Sequence, residues 1–266
     1  MASAASDWAP LAAGLVASVG TPGLPAALAA MLRHVAPFSY TVMFGYCGSA
    51  RPIDLFDDFP EGKRRVFVTD YQAGPYLLDP FYLGAVRPMA PGLYRLRDLA
   101  PDRFYQGEYF RNYYVQTGLA EEIGFFVPLP GGAMAVISLM RAERPFSQRE
   151  FRALEATYPL VSAAALRHWG ELVRIGGATT DGKGQGGPSS RAADVFASFG
   201  EGILTPRERE VAEFTLKGHS AEAVGHLLGI SPGTVRIHRR NIYAKLRINS
   251  QRELFSRVIS VLAGSA

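Results

Sequence analysis

The chain has 266 residues, 48% of them hydrophobic and 20% charged, which is enough for one large domain or two ordinary ones. Such a composition is typical of a globular protein and argues against a disordered chain. The longest nearly apolar run covers about twelve residues, 129–140, whereas a membrane-spanning helix needs about 20. The alanine-rich start lacks the basic head of a secretory signal. We therefore expect a cytoplasmic protein with no membrane partner.

Charge is distributed unevenly along the chain. The formal net charge is +4, but residues 203–262 contain ten Lys and Arg against five Asp and Glu. The basic excess therefore lies in the C-terminal quarter, where it favours binding of a polyanion.

The residue types needed for catalysis or metal binding do not form a recognisable pattern. The single cysteine, Cys47, excludes an internal disulfide framework and any multi-cysteine metal site. The five histidines show no metal-ligand spacing, and we find no nucleophile elbow, phosphate-cradling loop or carboxylate pair. The sequence therefore predicts no metal, no cofactor and no enzymatic activity.

A glycine-rich stretch divides the chain. Residues 175–190 read IGGATTDGKGQGGPSS, with six glycines, one proline and almost no apolar side chains. A segment of this kind cannot build a core and is typical of a flexible linker. We predict a front domain over 1–174, a linker over 175–199 and a second domain over 200–266.

The first half of the front domain mixes helix and strand signals. Apolar residues recur at helical spacing over 7–19 and 24–35, with a Thr-Pro-Gly turn between the two stretches. Residues 40–46 and 65–69 are rich in β-forming side chains and predict strands.

The second half of the front domain predicts a hairpin followed by a helix. Residues 124–129 and 133–140 read as two strands joined by a Pro-Gly-Gly turn. Ser147 and Glu150 then form a capping box that opens a helix running to about residue 174. We therefore predict an α+β front domain, in which an antiparallel sheet is flanked by helices.

Four helices are predicted in the tail from their capping residues. Thr205, with a proline after it and Glu208 three residues later, opens the first helix with a capping box. Ser220 caps a short second helix, Ser231 caps a third and Ser250 opens a fourth. The buried stripe of the third helix consists of Val235, Ile242 and Leu246.

Two of these helices form a helix-turn-helix, because they are joined by Leu-Gly-Ile-Ser and the later one is basic. The tail also resembles the C-terminal DNA-binding domain of the LuxR family. The matching stretches are LTPREREV, Gly218 and LLGISPGTVRIHRRNIYAKLRI, over about sixty residues. Gly225 stands in a short departure from the family pattern, and we expect it to loosen the second helix slightly.

The third helix of the tail is expected to enter the major groove. Arg236, Ile237 and Arg240 share the face opposite its buried stripe, so we predict that they contact bases. Arginine can bind guanine with two hydrogen bonds, and an aliphatic side chain can meet a thymine methyl. A second set is predicted to contact phosphates: Thr234, Arg239 and Lys245.

Two stretches of the front domain carry a further resemblance. Residues 67–82, FVTDYQAGPYLLDPFY, resemble the ligand-pocket segment of autoinducer-binding LuxR regulators, and residues 118–139 resemble a later part of the same domain. In that family the Asp binds the ligand's amide. The resemblance therefore implies ligand-binding roles for Asp79 first, and then for Tyr71 and Ser138.

Aromatic residues suit a pocket for an amphipathic small molecule independently of that resemblance. The predicted lining consists of Phe67, Tyr71, Tyr76, Phe81 and Tyr82. A plainer interpretation also stands, in which the tyrosines are ordinary core residues and Asp79 only caps a helix whose first residue is Pro80.

The class of ligand is left open by the sequence. Receptors for acyl-homoserine lactones typically carry pocket tryptophans, but Trp8 and Trp169 both lie outside the matching stretches. Residues 103–114 are strongly aromatic and lie near Glu108, Glu121 and Glu122, a combination that could instead hold a cationic amine.

Together these patterns predict a ligand-responsive transcription regulator. Its expected partners are double-stranded DNA on a two-fold symmetric operator, a small-molecule effector and a second copy of the chain, with RNA polymerase as a further candidate. Two alternatives stay open: the front domain is only a dimerisation scaffold, or it binds a protein partner rather than a metabolite.

Overall fold

The computed structural model describes residues 8–48, 50–115, 118–171 and 198–262. Contacts divide the described residues into two compact units. The first draws on Met1–Arg64, Gly84–Asp98 and Leu119–Gln185; the second draws on Arg65–Leu83, Leu99–Gly118 and Gly186–Ala266. Most of the predicted linker lies outside the described residues, so its boundaries stay a prediction.

The first unit is built on a five-stranded antiparallel sheet. Its strands are β1 Tyr40–Cys47, β2 Ile53–Asp57, β3 Gly92–Arg95, β4 Glu121–Leu129 and β5 Ala133–Arg141, in the spatial order β2-β1-β5-β4-β3. The predicted hairpin is present as β4 and β5, which pair from Glu121 with Arg141 to Leu129 with Ala133. The α+β prediction is confirmed, while β2 and β3 escaped the sequence analysis.

Four helices of the first unit cover one face of this sheet: α1 Ala9–Ala17, α2 Leu24–Val35, α6 Gln148–Glu155 and α7 Tyr158–Trp169. Three shorter helices in this part of the chain are α3 Glu61–Arg64, α4 Pro80–Ala85 and α5 Leu96–Leu99. Apolar side chains of α1, α2, α6 and α7 form a single core with every second residue of the central strands, such as Ile123, Phe125, Ile137 and Leu139. The helices predicted over 7–19 and 24–35 are confirmed.

The predicted helix from Ser147 to residue 174 is wrong in its length. Its capping box is present, because Ser147 accepts a hydrogen bond from the Glu150 N–H and the Glu150 carboxylate accepts one from the Ser147 N–H. The helix stops at Glu155, and α7 begins at Tyr158 with Pro159 in its first turn. Proline has no N–H to continue the first helix, so the chain ends one helix and starts another.

The other face of the sheet is buried as well. By alternation it carries the residues between the core positions, among them Phe44, Phe126, Val136 and Ser138, all shielded from solvent. A strand that is buried on both faces need not alternate between polar and apolar residues. The sequence pattern therefore could not show that both faces of this sheet are buried.

The second unit contains irregular helical turns besides its regular helices. A π-helical turn spans Arg65–Asp70, a 3-10 turn spans Pro75–Leu78, and further 3-10 and π turns span Phe104–Gln106 and Phe110–Tyr114. The strand predicted over 65–69 is therefore wrong. The backbone of this segment forms hydrogen bonds within its own helical turn rather than with a neighbouring strand. Tertiary context has therefore overridden the β propensity of its β-branched residues.

Four regular helices complete the second unit: α8 Pro206–Leu216, α9 Ala221–Leu228, α10 Pro232–Leu246 and α11 Gln251–Leu262. Each begins directly after the residue predicted to open it. The predicted all-α module of four helices is confirmed. No helix in the described stretches is both long and apolar enough to cross a bilayer.

Candidate functional site

The helix α10 is held in place by its cap and by its apolar stripe. The Ser231 hydroxyl accepts a hydrogen bond of 3.0 Å from the Thr234 N–H, which starts the helix. Val235, Ile242 and Leu246 are buried, as predicted from their spacing. The opposite face of α10 therefore points away from the core of the module.

That opposite face carries the three residues predicted to contact bases. Arg236 and Arg240 are exposed, and Ile237 leaves 50% of its surface open to solvent, which is unusual for an isoleucine in a folded module. The Arg236 guanidinium lies 2.6 Å from the carboxylate of Glu222 on α9. Both partners are exposed, so this ion pair is weak and can exchange for a base edge.

The residues predicted to contact phosphates are each tied to a neighbour. The Thr234 hydroxyl lies 2.8 Å from that of Ser231, and the Arg239 guanidinium donates to the Gln251 side chain at 3.2 Å. The partners Glu222 and Gln251 were missed by the sequence analysis, because they lie twelve or more residues away and belong to other helices.

The predicted phosphate contact Lys245 also ties α10 to α8. Its ammonium donates at 2.7 Å to Glu208, the carboxylate of the predicted capping box, which is only 3% exposed. The same carboxylate accepts from the Thr205 N–H at 2.8 Å, while the Glu208 N–H donates to the Thr205 hydroxyl at 3.2 Å. Burial alone would raise the pKa of Glu208, but the hydrogen bonds from Lys245 and Thr205 lower it below its usual value.

The turn between α9 and α10 depends on two glycines. Gly229 ends α9 in the left-handed conformation, with φ of 65°. Gly225 is buried, and a Cβ there would lie 2.7 Å from the Ile230 carbonyl oxygen. Gly225 therefore lets the helix and the turn approach closely, which corrects the expectation that this glycine loosens α9.

Within the second unit, the Leu99–Gly118 segment forms hydrogen bonds with the helix-turn-helix module. The Arg103 N–H donates to the Gly218 carbonyl at 2.9 Å, and the Ser220 N–H donates to the Asp102 carboxylate at 3.0 Å. Gly218 has φ of +95°, and a Cβ there would lie 2.8 Å from the Cα of Phe104. This close approach is possible only because residue 218 has no side chain.

Asp79 is the polar centre of the predicted ligand segment. Its carboxylate accepts 2.6 Å from the Tyr71 hydroxyl and 2.9 Å from the Phe81 N–H. Burial raises the pKa of Asp79 to about 6, although both hydrogen bonds act to lower it. The Phe81 contact is the helix cap of the plainer interpretation, and the Tyr71 contact joins the two residues that the resemblance had paired.

Aromatic rings surround this pair within the second unit. Tyr71 and Tyr76 lie with ring centroids 6.2 Å apart, and Tyr76 meets Tyr82 edge-on at 4.9 Å. Tyr71, Tyr76, Phe81 and Tyr82 are buried, whereas Phe67 is partly exposed. Tyr71, Tyr76 and Tyr82 therefore form one aromatic cluster, which reaches Asp79 through the Tyr71 hydroxyl.

Ser138 lies in the first unit, on the sheet face away from the helices. Its strand pairs it with Val42 on one side and Gly124 on the other. Glu122 belongs to the same face by alternation and is also buried. Ser138 and Glu122 are thus two buried polar side chains on this face of the sheet.

One of the acids considered for a cationic ligand is already engaged. Glu121 is buried and accepts 2.6 Å from the Arg95 guanidinium and 2.6 Å from the Phe146 N–H. Two charge-assisted hydrogen bonds satisfy this carboxylate inside the first unit. Glu121 is therefore a structural residue and is not available to a ligand.

A basic, capped helix whose exposed face carries two arginines and an isoleucine, set after a short helix and a tight turn, defines a helix-turn-helix DNA-binding module. Residues 202–258 match the family model of the bacterial regulatory proteins of the luxR family. The chain is 33% identical over 180 residues to an HTH-type transcriptional regulator in the exeN 3' region of Aeromonas salmonicida, which covers 67% of this chain and 91% of that relative.

Two further similarities extend beyond the module. The transcriptional activator protein PhzR of Pseudomonas fluorescens is 28% identical over 130 residues, covering 49% of this chain and 46% of its own. The structure of the VqsR LBD domain from Pseudomonas aeruginosa superposes with a TM-score of 0.55 at 24% identity, covering 61% of this chain and 96% of that one. The chain belongs to the luxR family, and it is a DNA-binding transcription regulator with an α+β domain of the VqsR LBD fold.

Proposed function

We propose that this regulator is controlled by an amphipathic small molecule and binds a two-fold symmetric operator as a homodimer. The observation that carries the ligand-binding part is the Tyr71–Asp79 hydrogen bond inside a buried aromatic cluster. A carboxyl whose pKa lies near 6 is half protonated at about pH 6, so a modest change in its surroundings can change its charge near physiological pH.

Two ligand classes fit this carboxylate. An acyl-homoserine lactone would donate its amide N–H to Asp79, while its apolar chain would lie against aromatic rings. A small amine or amide would donate its N–H to Asp79 as well. The absence of pocket tryptophans weighs against the lactone, and the engagement of Glu121 weighs against the amine.

The DNA-binding part of the proposal assigns bases to Arg236, Ile237 and Arg240. One module that reads a few base pairs has too little specificity for an operator, so two copies are expected, with half-sites about one helical turn apart. The proposal divides the chain into a sensing and dimerising domain over 1–174, a linker over 175–199 and a DNA-binding domain over 200–266. Such a regulator would act in the cytoplasm, with RNA polymerase as a further candidate partner.

A ligand-independent regulator is the second candidate. The hydrogen bond from the Phe81 N–H to Asp79 favours it, because a capping carboxylate has a structural role without any ligand. In that case the α+β domain would serve as a dimerisation scaffold or bind a protein partner.

A thermal-shift screen of the full chain distinguishes these candidates. The probes are acyl-homoserine lactones of several chain lengths and a panel of small amines and amides. A ligand present at 100 times its Kd should stabilise the fold by about 2.7 kcal/mol. Asp79→Asn should abolish the response, whereas Asp70→Asn, the same chemical change at a more exposed carboxylate of the same unit, should retain it.

Each result of the screen has a defined meaning. A lactone or an amine response that depends on Asp79 identifies the ligand class. A response that Asp79→Asn leaves intact would move the ligand away from this cluster. A flat screen with both classes would favour the scaffold and protein-partner alternative.

A further inference from the structure

A polar cavity lies within the second unit, lined by residues other than those of the aromatic cluster near Asp79. It has a volume of about 160 Å³, well above the roughly 30 Å³ that one water molecule takes up in the liquid. One wall comes from the Leu99–Gly118 segment and the other from the helix-turn-helix module. The polar side chains at its surface include Arg103, Arg111, His219, Arg239, Thr215 and Gln251.

The cavity is lined by positive charge and by no carboxylate. Among the described residues, no Asp or Glu oxygen lies within 4.0 Å of the guanidinium of Arg103 or Arg239, and Arg111 has only Glu108 at 3.9 Å. Bringing three guanidinium groups to one cavity costs free energy unless a negative charge joins them. An anion in the cavity would offset that repulsion.

A carboxylate next to the cavity, Asp102, is bound by the protein itself. Burial would raise the pKa of this carboxyl, but hydrogen bonds from Ser220 and the charge of His219 outweigh burial and lower the pKa. Asp102 is therefore held by the α8–α9 turn and does not neutralise the arginines.

A buried hydroxyl at the cavity still has room for a hydrogen bond. Thr215 is 3% exposed, and its Oγ1 has no hydrogen-bond partner among the described residues. Leaving a buried hydroxyl unsatisfied costs free energy, so such groups are normally paired with protein, water or a ligand.

Arg239 is already positioned at the wall of the cavity. Its guanidinium donates to the Gln251 side-chain oxygen at 3.2 Å, and the Gln251 amide donates to the Thr215 carbonyl at 3.2 Å. One amide thus links the arginine to the Thr215 backbone. A preorganised guanidinium loses less entropy when it binds an oxyanion.

We propose that this cavity is a binding site for a phosphate-type oxyanion. Arg103, Arg111 and Arg239 neutralise its charge, and the Thr215 hydroxyl donates a hydrogen bond to it. Arginine forks match the geometry of phosphate oxygens, which favours this class over a halide ion. The phosphate belongs either to a small phosphorylated molecule or to the DNA backbone, and the two sources have the same chemistry at the site.

The first test uses inorganic phosphate as the probe with the full chain. Thermal stability is followed while phosphate replaces chloride at constant ionic strength. We expect a saturable rise in Tm for the wild type and at least a tenfold loss of apparent affinity for Arg111→Gln and Thr215→Val. Arg65→Gln removes the same charge from an arginine that is 82% exposed in the same unit, and it should respond like the wild type.

Circular dichroism checks that each variant is folded. Thr215→Val changes neither the charge nor the side-chain volume appreciably, so it should fold even if Arg111→Gln does not. Equal phosphate responses in Thr215→Val, Arg65→Gln and the wild type would overturn the site. The response of the wild type to phosphate is independent of the Asp79 ligand, so failure of this site leaves the proposed function untouched.

The second test identifies the source of the phosphate. Binding of the full chain to a short duplex of arbitrary sequence is measured against salt concentration. If the DNA backbone supplies the phosphate, Arg111→Gln should reduce the salt slope by about 1 relative to Arg65→Gln. If a free molecule supplies it, the slopes of the two variants should agree while only Arg111→Gln loses the phosphate response.

Discussion

The helix-turn-helix module and the Arg65–Leu83 segment differ in the regularity of their backbone hydrogen bonds. In the module, α8, α9 and α10 each start at a hydroxyl side chain that accepts from a backbone N–H, and regular helix follows. The Arg65–Leu83 segment instead passes through a π turn and a 3-10 turn. Short π and 3-10 stretches are strained and occur frequently at functional sites.

This difference matches the DNA-binding role of the module and the ligand-binding role that we propose for the segment. A DNA groove has a fixed shape, so a helix with strong caps and a buried stripe presents Arg236 and Arg240 at constant spacing. A pocket that closes on a small molecule needs local adjustment, which a segment with few regular hydrogen bonds permits at low cost. The stiffness of the module and the adaptability of the segment can each be tested by substitution.

Breaking the ion pair between α8 and α10 should have the largest effect on the stability of the fold. Lys245→Met leaves the buried Glu208 carboxylate without its cation and should lower the free energy of unfolding by about 2 kcal/mol at pH 7. The loss falls below that of a fully buried pair because the Lys245 side chain is 39% exposed. Urea denaturation of the full chain measures it.

The pH dependence of that loss has a defined sign. The folded-state pKa of Glu208 is lowered, so its stabilisation is present above the ordinary pKa of about 4.5 and disappears as the pH falls through the folded-state value. Wild type and Lys245→Met should therefore converge in acid. A constant gap down to about pH 3 would show that Lys245 stabilises by packing rather than by charge.

Removing the proposed base contacts should alter recognition and leave the module folded. Arg236→Ala and Arg240→Ala should each reduce preference for the operator over random DNA by about 1–3 kcal/mol, because a bidentate contact to guanine is lost. Gel-shift titration against both DNAs gives this ratio. Arg252→Ala, an exposed change on α11, serves as the control, and an unchanged ratio for all three would refute the assignment of α10.

The smallest predicted change concerns Asp79 and is a gain of stability. The folded-state pKa of about 6 exceeds the ordinary value of 3.8, so the folded chain binds more protons and stability falls as the pH rises between these values. Asp79→Asn lacks this titration. It should be about 1–2 kcal/mol more stable than the wild type at pH 7.5 and indistinguishable near pH 4, by denaturation in urea. A loss of stability at both pH values would make Asp79 mainly a helix cap.

The module could be predicted from the sequence because its signals are local. Thr205 with Glu208, and Ser231 with Pro232, mark helix starts within four residues, and Val235, Ile242 and Leu246 follow a single helical period. The same holds for the capping box at Ser147 and for the β4–β5 hairpin. These interactions join neighbours in the chain, so composition and spacing are sufficient to find them.

Other features depend on residues that are distant in the chain. The valines in 65–69 favour a strand, yet the segment forms a π turn. The link between Arg239, Gln251 and Thr215 joins three helices, and Glu121 is removed from the ligand candidates by Arg95, which lies 26 residues earlier. No window of sequence contains both partners of such contacts, so only the folded chain could reveal them.

Gly218 gives the regulator a point at which it could be separated genetically into two activities. Its φ of +95° and its missing side chain let Phe104 approach to a distance that any Cβ would prevent. A single methyl group at residue 218 would act as a wedge between Leu99–Gly118 and the turn from α8 to α9, without touching α10. Alleles at this codon are therefore where a screen should look for variants that still bind DNA but have lost the coupling between this segment and the module.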